Sequence, residues 1–391
     1  MLHLYKVSAC LSVLFSVSLA HNRFRGRVMD IKLPKGLSDM TATANPNDGL
    51  IYIAGGCDSE NGNEYNKATT YFDCSSITDS FYSFNPNTNE FKTLPSMPRE
   101  RNRHAAAISQ NRLWLIGGRD QATDVVYEID VYDFTLQKWF TPGNFIEGTS
   151  DFGAFADEFH VYVGGGYDAD YIARSSLWRI NASSIDFIQA TEMASLQEAR
   201  GDVKMVVNRR QQAFVAGGFT DVNNFCPALS TVEMYNIKTN TWSYVDDLSI
   251  PRGDMSLLLL DHHLIALGGE TQIDATCPDT IDPGESTVVM DDVEILDHNG
   301  NWEVVASIPD PLFRAEAVSI DNRIFIFGGQ NAYNKTCRCY DTSDDIVLLL
   351  EEDGGTAHED NPASSPSVAF EAVTSSFSVT LVLFAAFGAF M

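Results

Sequence analysis

The sequence predicts an all-β fold, a six-bladed β-propeller with four antiparallel strands in each blade. Three observations lead there. An apolar strand ending in a double glycine occurs six times. From one glycine pair to the next the spacing runs from 48 to 62 residues, a period that belongs to repeat architectures. Around each pair the same succession of short strands and turns returns in one phase, as in the blades of a propeller.

Each unit opens on a short apolar strand: MTATA (40–44), HAAAI (104–108), GAFA (153–156), VKMVV (203–207), MSLLLL (255–260) and AVSI (317–320). A few polar or turn-forming residues follow, as in a hairpin. The second strand ends in the glycines: LIYIAGG (50–56), RLWLIGG (112–118), HVYVGGG (160–166), QAFVAGG (212–218), HLIALGG (263–269) and RIFIFGG (323–329). Glycine there permits a bulge or a close backbone approach that a side chain would block. After a loop of variable length comes a third strand: FYSF (81–84), EIDVY (128–132), SLWRI (176–180), TVEMY (231–235), DVEIL (292–296) and IVLLL (346–350). Turn residues then lead to a fourth strand with an aromatic in five units: Phe91, Trp139, Phe187, Trp242 and Trp302. Plates of this size bury about 150–250 Å² each and suit the space between blades.

The sixth unit has no fourth strand after EEDGG (351–355). The stretch RVMDIKLP (27–34) has the strand-then-Leu-Pro ending of EFKTLP (90–95). It is expected to complete the sixth blade beside IVLLL, with Met29 or Ile31 in place of the missing aromatic. Such closure joins the ends of the ring and removes its open edges.

Double glycine after an apolar strand, Tyr in the third strand and Trp in the fourth resemble Kelch repeats, over about residues 27–353. The resemblance implies blades radial to a central channel. It also implies one ligand-binding face, shared by the loops entering the first strands and those between second and third strands. Units one and three depart from the pattern with Phe in place of Trp.

The charge balance of 26 Lys+Arg against 53 Asp+Glu leaves −27. That excludes a general nucleic-acid binder and electrostatic docking to anionic lipid. At 44% hydrophobic and 20% charged, the chain has the apolar material for a large core. Residues 1–20 read as a secretory signal peptide, with Lys6, an apolar run from Val7 to Leu19, and Ser18 and Ala20 at the cleavage site. The propeller is expected over 21–355, a disordered linker over 356–376, and a hydrophobic tail over 377–391. The 15 residues of Phe377–Met391 fall short of the ~20 of a spanning helix. With the small residues Ala363-Ser364-Ser365 and a polar spacer before it, the tail reads as a GPI-attachment signal; a short anchor is the alternative.

Cysteine usage agrees with an extracellular, oxidising address. Six cysteines follow the leader: Cys57, Cys74, Cys226, Cys277, Cys337 and Cys339. All fall in loops between second and third strands. Cys57–Cys74 is the expected pair, and the pairing of the other four stays open. Zinc is disfavoured because no His stands at ligand spacing. Asn181-Ala-Ser and Asn334-Lys-Thr are acceptor tripeptides for N-glycosylation.

Two RGD tripeptides, Arg200-Gly201-Asp202 and Arg252-Gly253-Asp254, read as integrin ligands or as a repeat feature. The repeat phase favours the second, because Arg101-Asn102-Arg103, Arg314-Ala315-Glu316, Ser38-Asp39-Met40 and Ser150-Asp151-Phe152 occupy the same slot. Arg101, Arg200, Arg252 and Arg314 are therefore expected around one channel mouth, with Asp202 and Asp254 beside them. They either form salt bridges between blades or line a pocket for an anionic ligand or sugar. The loops at 57–79 and 270–291 are acidic and offer a surface for a basic partner, with calcium as a weak alternative. No HExxH, nucleophile elbow or phosphate-binding glycine loop is present.

The reading is a cell-surface or extracellular recognition module. It binds a protein or glycan through disulfide-braced acidic loops, as a single propeller without a required cofactor. The alternative is a carbohydrate-active enzyme, resembling a sialic-acid epimerase, at an arginine-lined mouth. Similarity to copper oxidases of the galactose-oxidase type is not supported, because no set of two His, a Cys and a Tyr is visible.

Overall fold

A computed structural model describes residues 23–59, 63–66, 71–220, 227–273, 283–297 and 299–352. The expected leader (1–20), linker (356–376) and tail (377–391), and Cys226 and Cys277, lie outside the described residues. Among the described residues no helix is long and apolar enough to cross a membrane, and the single helical turn Pro283–Ser286 is a loop feature.

Six four-stranded antiparallel sheets follow one another along the chain. Blade two shows the pattern: Ala105–Ser109, Arg112–Ile116, Glu128–Asp133 and Lys138–Asn144 pair in that order. The first strands of neighbouring blades stand side by side around the centre. Apolar residues of the inner three strands fill the spaces between blades. Ile51, Phe84 and Phe327, for example, share one cluster across blades one and six.

The ends of the chain meet in blade six. Phe24–Val28 pairs antiparallel with Ile346–Glu351, Phe24 opposite Glu351 and Val28 opposite Val347. The closing strand thus lies a few residues before the expected 27–34. Met29 and Leu33 are buried in the blade six–blade one core instead.

The fourth-strand aromatic slot is defined by register. Phe91, Trp139, Trp242 and Trp302 stand opposite Phe84, Tyr132, Tyr235 and Leu296. Each Trp donates its indole N–H to the linker after the preceding blade: Trp139 to Pro95 O at 2.9 Å, Trp242 to Ala194 O at 2.8 Å and Trp302 to Asp246 O at 2.9 Å. Two expectations are corrected here. Blade three places Ala190 in the slot, opposite Ile180, and Phe187 precedes that strand, largely exposed. Blade six places Gly26 there, opposite Leu349. A Cβ on Gly26 would stand 2.8 Å from Leu349 Cδ2 and 3.1 Å from Pro309 Cδ, so these side chains occupy the space that an aromatic fills elsewhere.

The double glycines bind blade to blade. A Cβ on Gly217 would lie 2.1 Å from the Arg252 carbonyl oxygen, and one on Gly218 would lie 2.4 Å from the Gly201 carbonyl. Their φ angles of +60° and +89° belong to the left-handed region. Gly218 N–H donates to Arg252 O at 2.9 Å.

Candidate functional site

The segment entering each first strand carries one repeated device. Its middle residue exchanges backbone hydrogen bonds with the residue after the double glycine of the same blade: Ser38 with Cys57, Asn102 with Arg119, Ser150 with Tyr167, Gly201 with Phe219, Gly253 with Glu270 and Phe313 with Gln330. The next residue is Asp39, Arg103, Asp151, Asp202, Asp254 or Arg314, with φ between +50° and +58° in all six. These six residues form a belt around the channel. Arg103 N–H donates to Asp39 O at 2.8 Å, Asp151 to Arg103 at 2.9 Å, Asp254 to Asp202 at 3.1 Å, Arg314 to Asp254 at 3.0 Å and Asp39 to Arg314 at 3.1 Å. Between Asp151 and Asp202 the step is made by Val203 N–H to Asp151 O at 3.4 Å.

The belt corrects the repeat alignment. Arg314 is equivalent to Arg103 and Asp202, not to Arg101, Arg200 and Arg252. Leu37, Thr149 and Leu312 take the arginine position in blades one, three and six. Arg101, Arg200 and Arg252 do not line a mouth, and none is reached by solvent. Each reaches outward along its own blade. Arg200 Nη1 donates to Gly217 O at 2.9 Å and Thr231 O at 2.9 Å, while Nη2 donates to Glu233 Oε1 at 3.0 Å. Arg101 binds Gly117 O at 3.1 Å and pairs with Asp130. Arg252 binds Gly268 O at 3.0 Å and pairs with Glu294. Burial lowers the Arg101 pKa to about 10, against the opposing pull of Asp130.

Arg314, Asp202 and Asp254 do meet at the centre. Arg314 Nε donates to Asp254 Oδ2 at 2.9 Å and stands 3.8 Å from Asp39 Oδ1. Arg103 Nε lies 3.6 Å from both Asp39 Oδ1 and Asp151 Oδ1. Tyr167 donates its hydroxyl to Asp202 Oδ2 at 2.9 Å. Above the belt, Cys57, Arg119, Tyr167, Phe219, Glu270 and Gln330 are all buried. Glu270, expected in a solvated acidic loop, lies in this layer. Burial next to Asp254 raises its pKa to about 8. Burial and the neighbouring Asp254 and Asp151 charges push Asp202 well above the ordinary carboxylate range. The cavity inside the belt is only about 30 Å³, so the channel is stoppered on this side.

The channel opens on the opposite side. Beyond the Lys204–Glu316 ion pair of 2.6 Å, a cavity of about 410 Å³ runs between the first strands. Val207, Leu259 and Ser319 connect it to a mouth of about 710 Å³ among the hairpin turns, where His262, His263, Arg209 and Arg210 stand.

The loop face carries structure that periodicity did not show. The loops of blades six and one join into one sheet. Gln330–Asn334 pairs with Cys339–Thr342, which pairs with Asn63–Asn66, which pairs with Tyr71–Cys74. Cys57 and Cys74 form a disulfide at one edge, and Cys337 and Cys339 form another in the turn of the first hairpin. Asn181 ends the third strand of blade three, half-buried, and Asn334 is exposed beside Cys337. Among the described residues, no group of three or more His, Cys, Asp and Glu is placed to hold a metal ion.

Comparison with known proteins agrees with this architecture. Residues 43–269 match the KLHDC2/KLHL20/DRC7 Kelch-repeats domain, and residues 311–346 match the Kelch motif. The chain is 22% identical over 241 residues to Kelch-like protein 41a of Danio rerio, covering 61% of this chain and 37% of that one. It is 23% identical over 239 residues to the Kelch repeat protein M-T8 of Myxoma virus, covering 60% and 42%. It is 22% identical over 293 residues to beta-scruin of Limulus polyphemus, covering 70% and 30%. The chain thus spans less than half the length of these relatives. The solved structure of YjhT superposes with a TM-score of 0.64 at 14% identity, over 82% of this chain and 96% of that one.

Proposed function

The chain belongs to the Kelch-repeat family, and from that premise we propose that it recognises a protein or glycan partner with its loop face at the outer cell surface. Protein interaction is the general role of such repeats. The observation that selects the loop face is the sheet joining the loops of blades six and one, held at one edge by Cys57–Cys74. A sheet joined between two blades at the stoppered end of the channel offers a continuous surface rather than a hole. The leader and tail read in the sequence support a surface address, and the disulfides accord with an oxidising compartment.

Sugar chemistry at an arginine-lined mouth loses its basis. Arg101, Arg200 and Arg252 are enclosed, and their guanidinium groups are held by carbonyls and carboxylates of their own blades.

The test uses two baits for extracellular extract: the chain, and a variant with the loop-face acids Asp73, Asp291 and Asp341 changed to amides, the first and last of them in the joined sheet. A partner held by the first and lost by the second supports acidic loop-face recognition. Equal capture by both baits contradicts it.

A further inference from the structure

The two disulfides of the loop-face sheet differ in span and access. Cys57–Cys74 links residues 17 apart, and its cysteines are 0% and 9% exposed. A link of that span removes freedom from the unfolded chain, and burial closes both sulfurs to an attacking thiol. Cys337–Cys339 links residues two apart in one turn. The hairpin ladder already places Asn334 opposite Cys339, and Glu64 of the blade-one loop flanks Cys339 on its other side. Closing so short a loop in a segment held from both sides adds little to the fold. Access is one-sided: Cys337 is exposed at the turn, while Cys339 is wholly buried behind it.

We propose that Cys337–Cys339 is a redox-active pair that undergoes exchange with low-molecular-weight thiols, with Cys337 as the attacked sulfur and Cys339 as the resolving one. An incoming thiolate attacks Sγ of Cys337. The new S–S bond forms, the Cys337–Cys339 bond breaks, and its electron pair leaves on the Cys339 sulfur, which takes a proton from solvent. A second thiolate then attacks the sulfur of the first thiol in the mixed disulfide. This releases Cys337 as a thiolate and carries away the disulfide of the two small molecules. Two thiols are oxidised and one protein disulfide is reduced; run backwards, a small disulfide re-forms the pair. The activity is separate from partner docking and stands if no partner is found.

The experiment places the full chain in buffers of graded reduced and oxidised glutathione, with alkylation and peptide mapping at intervals. The expected result is reduction of Cys337–Cys339 at least about ten-fold faster than Cys57–Cys74, with an unchanged melting curve. C339S should hold glutathione as a stable mixed disulfide on Cys337, and C337S should not hold it on the buried Cys339. Three results would overturn the proposal: reduction of both bonds together, equal glutathione capture by the two variants, or Cys337 or Cys339 bonded to Cys226 or Cys277. The comparison of the two bonds needs no variant, so a folding defect in either substitution leaves it decisive.

Discussion

The guanidinium of Arg200 donates to Glu233 Oε1 at 3.0 Å, and solvent reaches neither side chain. The relationship recurs as Arg101–Asp130 and Arg252–Glu294. The acid always occupies the third-strand position opposite the residue two before the first glycine: Asp130 faces Leu115, Glu233 faces Val215 and Glu294 faces Ala266. In the other blades that position holds Tyr82, Trp178 and Val347, and the arginine position holds Leu37, Thr149 and Leu312. An unpaired buried charge is costly, so arginine and acid are present together or absent together within one chain.

This pairing predicts a double-mutant cycle. E233V, which strands Arg200, should destabilise by about 3–5 kcal/mol. R200L/E233V, which imitates the apolar blades, should cost less than E233V alone. Urea denaturation of the unchanged chain, R200L, E233V and R200L/E233V measures the coupling. Simple addition of the two single effects would show that the pair is not a unit.

The covered belt predicts a pH dependence with a definite sign. Burial raises Glu270 from 4.5 to about 8. Between those values the folded chain keeps a proton that the unfolded chain has released. Stability should therefore fall as pH rises through that window, by about 1.4 kcal/mol per unit for each such proton. Asp202 and Asp254 are shifted in the same direction by burial. The urea midpoint should decline from pH 5 to 8, and E270Q should flatten the decline. A midpoint that climbs over this range would contradict the assignment.

Closure by the N-terminal strand predicts that deletion of residues 22–34 exposes the edge of Ile346–Glu351. The truncated chain should aggregate or melt on the order of 10 °C lower, as read by light scattering and calorimetry. A monomeric deletion with unchanged melting would reject the closure.

The disulfide contrast extends to stability. C57S/C74S should cost roughly 2–4 kcal/mol, whereas C337S/C339S should leave the urea midpoint nearly unmoved. Equal losses would mean that the short link braces the fold after all.

Much of the ring was legible because its signals are backbone requirements. A double glycine returns wherever two backbones must touch, and third-strand boundaries came within a residue or two of those observed. The closing strand was legible in kind but not in register. Its aromatic slot holds Gly26, which no aromatic search could find. Phe187 misled because Ala190 lacks bulk. The arginine slot slipped by one residue in units one and three and by two in unit six, because Arg314 resembles Arg252 in identity but matches Asp254 in φ. Asp130, Glu233 and Glu294 were missed as arginine partners, although their absence from the apolar blades is readable in the sequence. The joined loop sheet depends on pairing between blade one and blade six, far apart in sequence, which periodicity cannot reveal.

The most direct test of loop-face recognition is cross-linking mass spectrometry of the chain bound to its captured partner. The account predicts cross-links from loop residues such as Lys35, Asp73, Lys335 and Asp341. Cross-links concentrated instead at Asp48, Arg209, Asp261 and Asp321, in the hairpin turns around the open channel mouth, would contradict it.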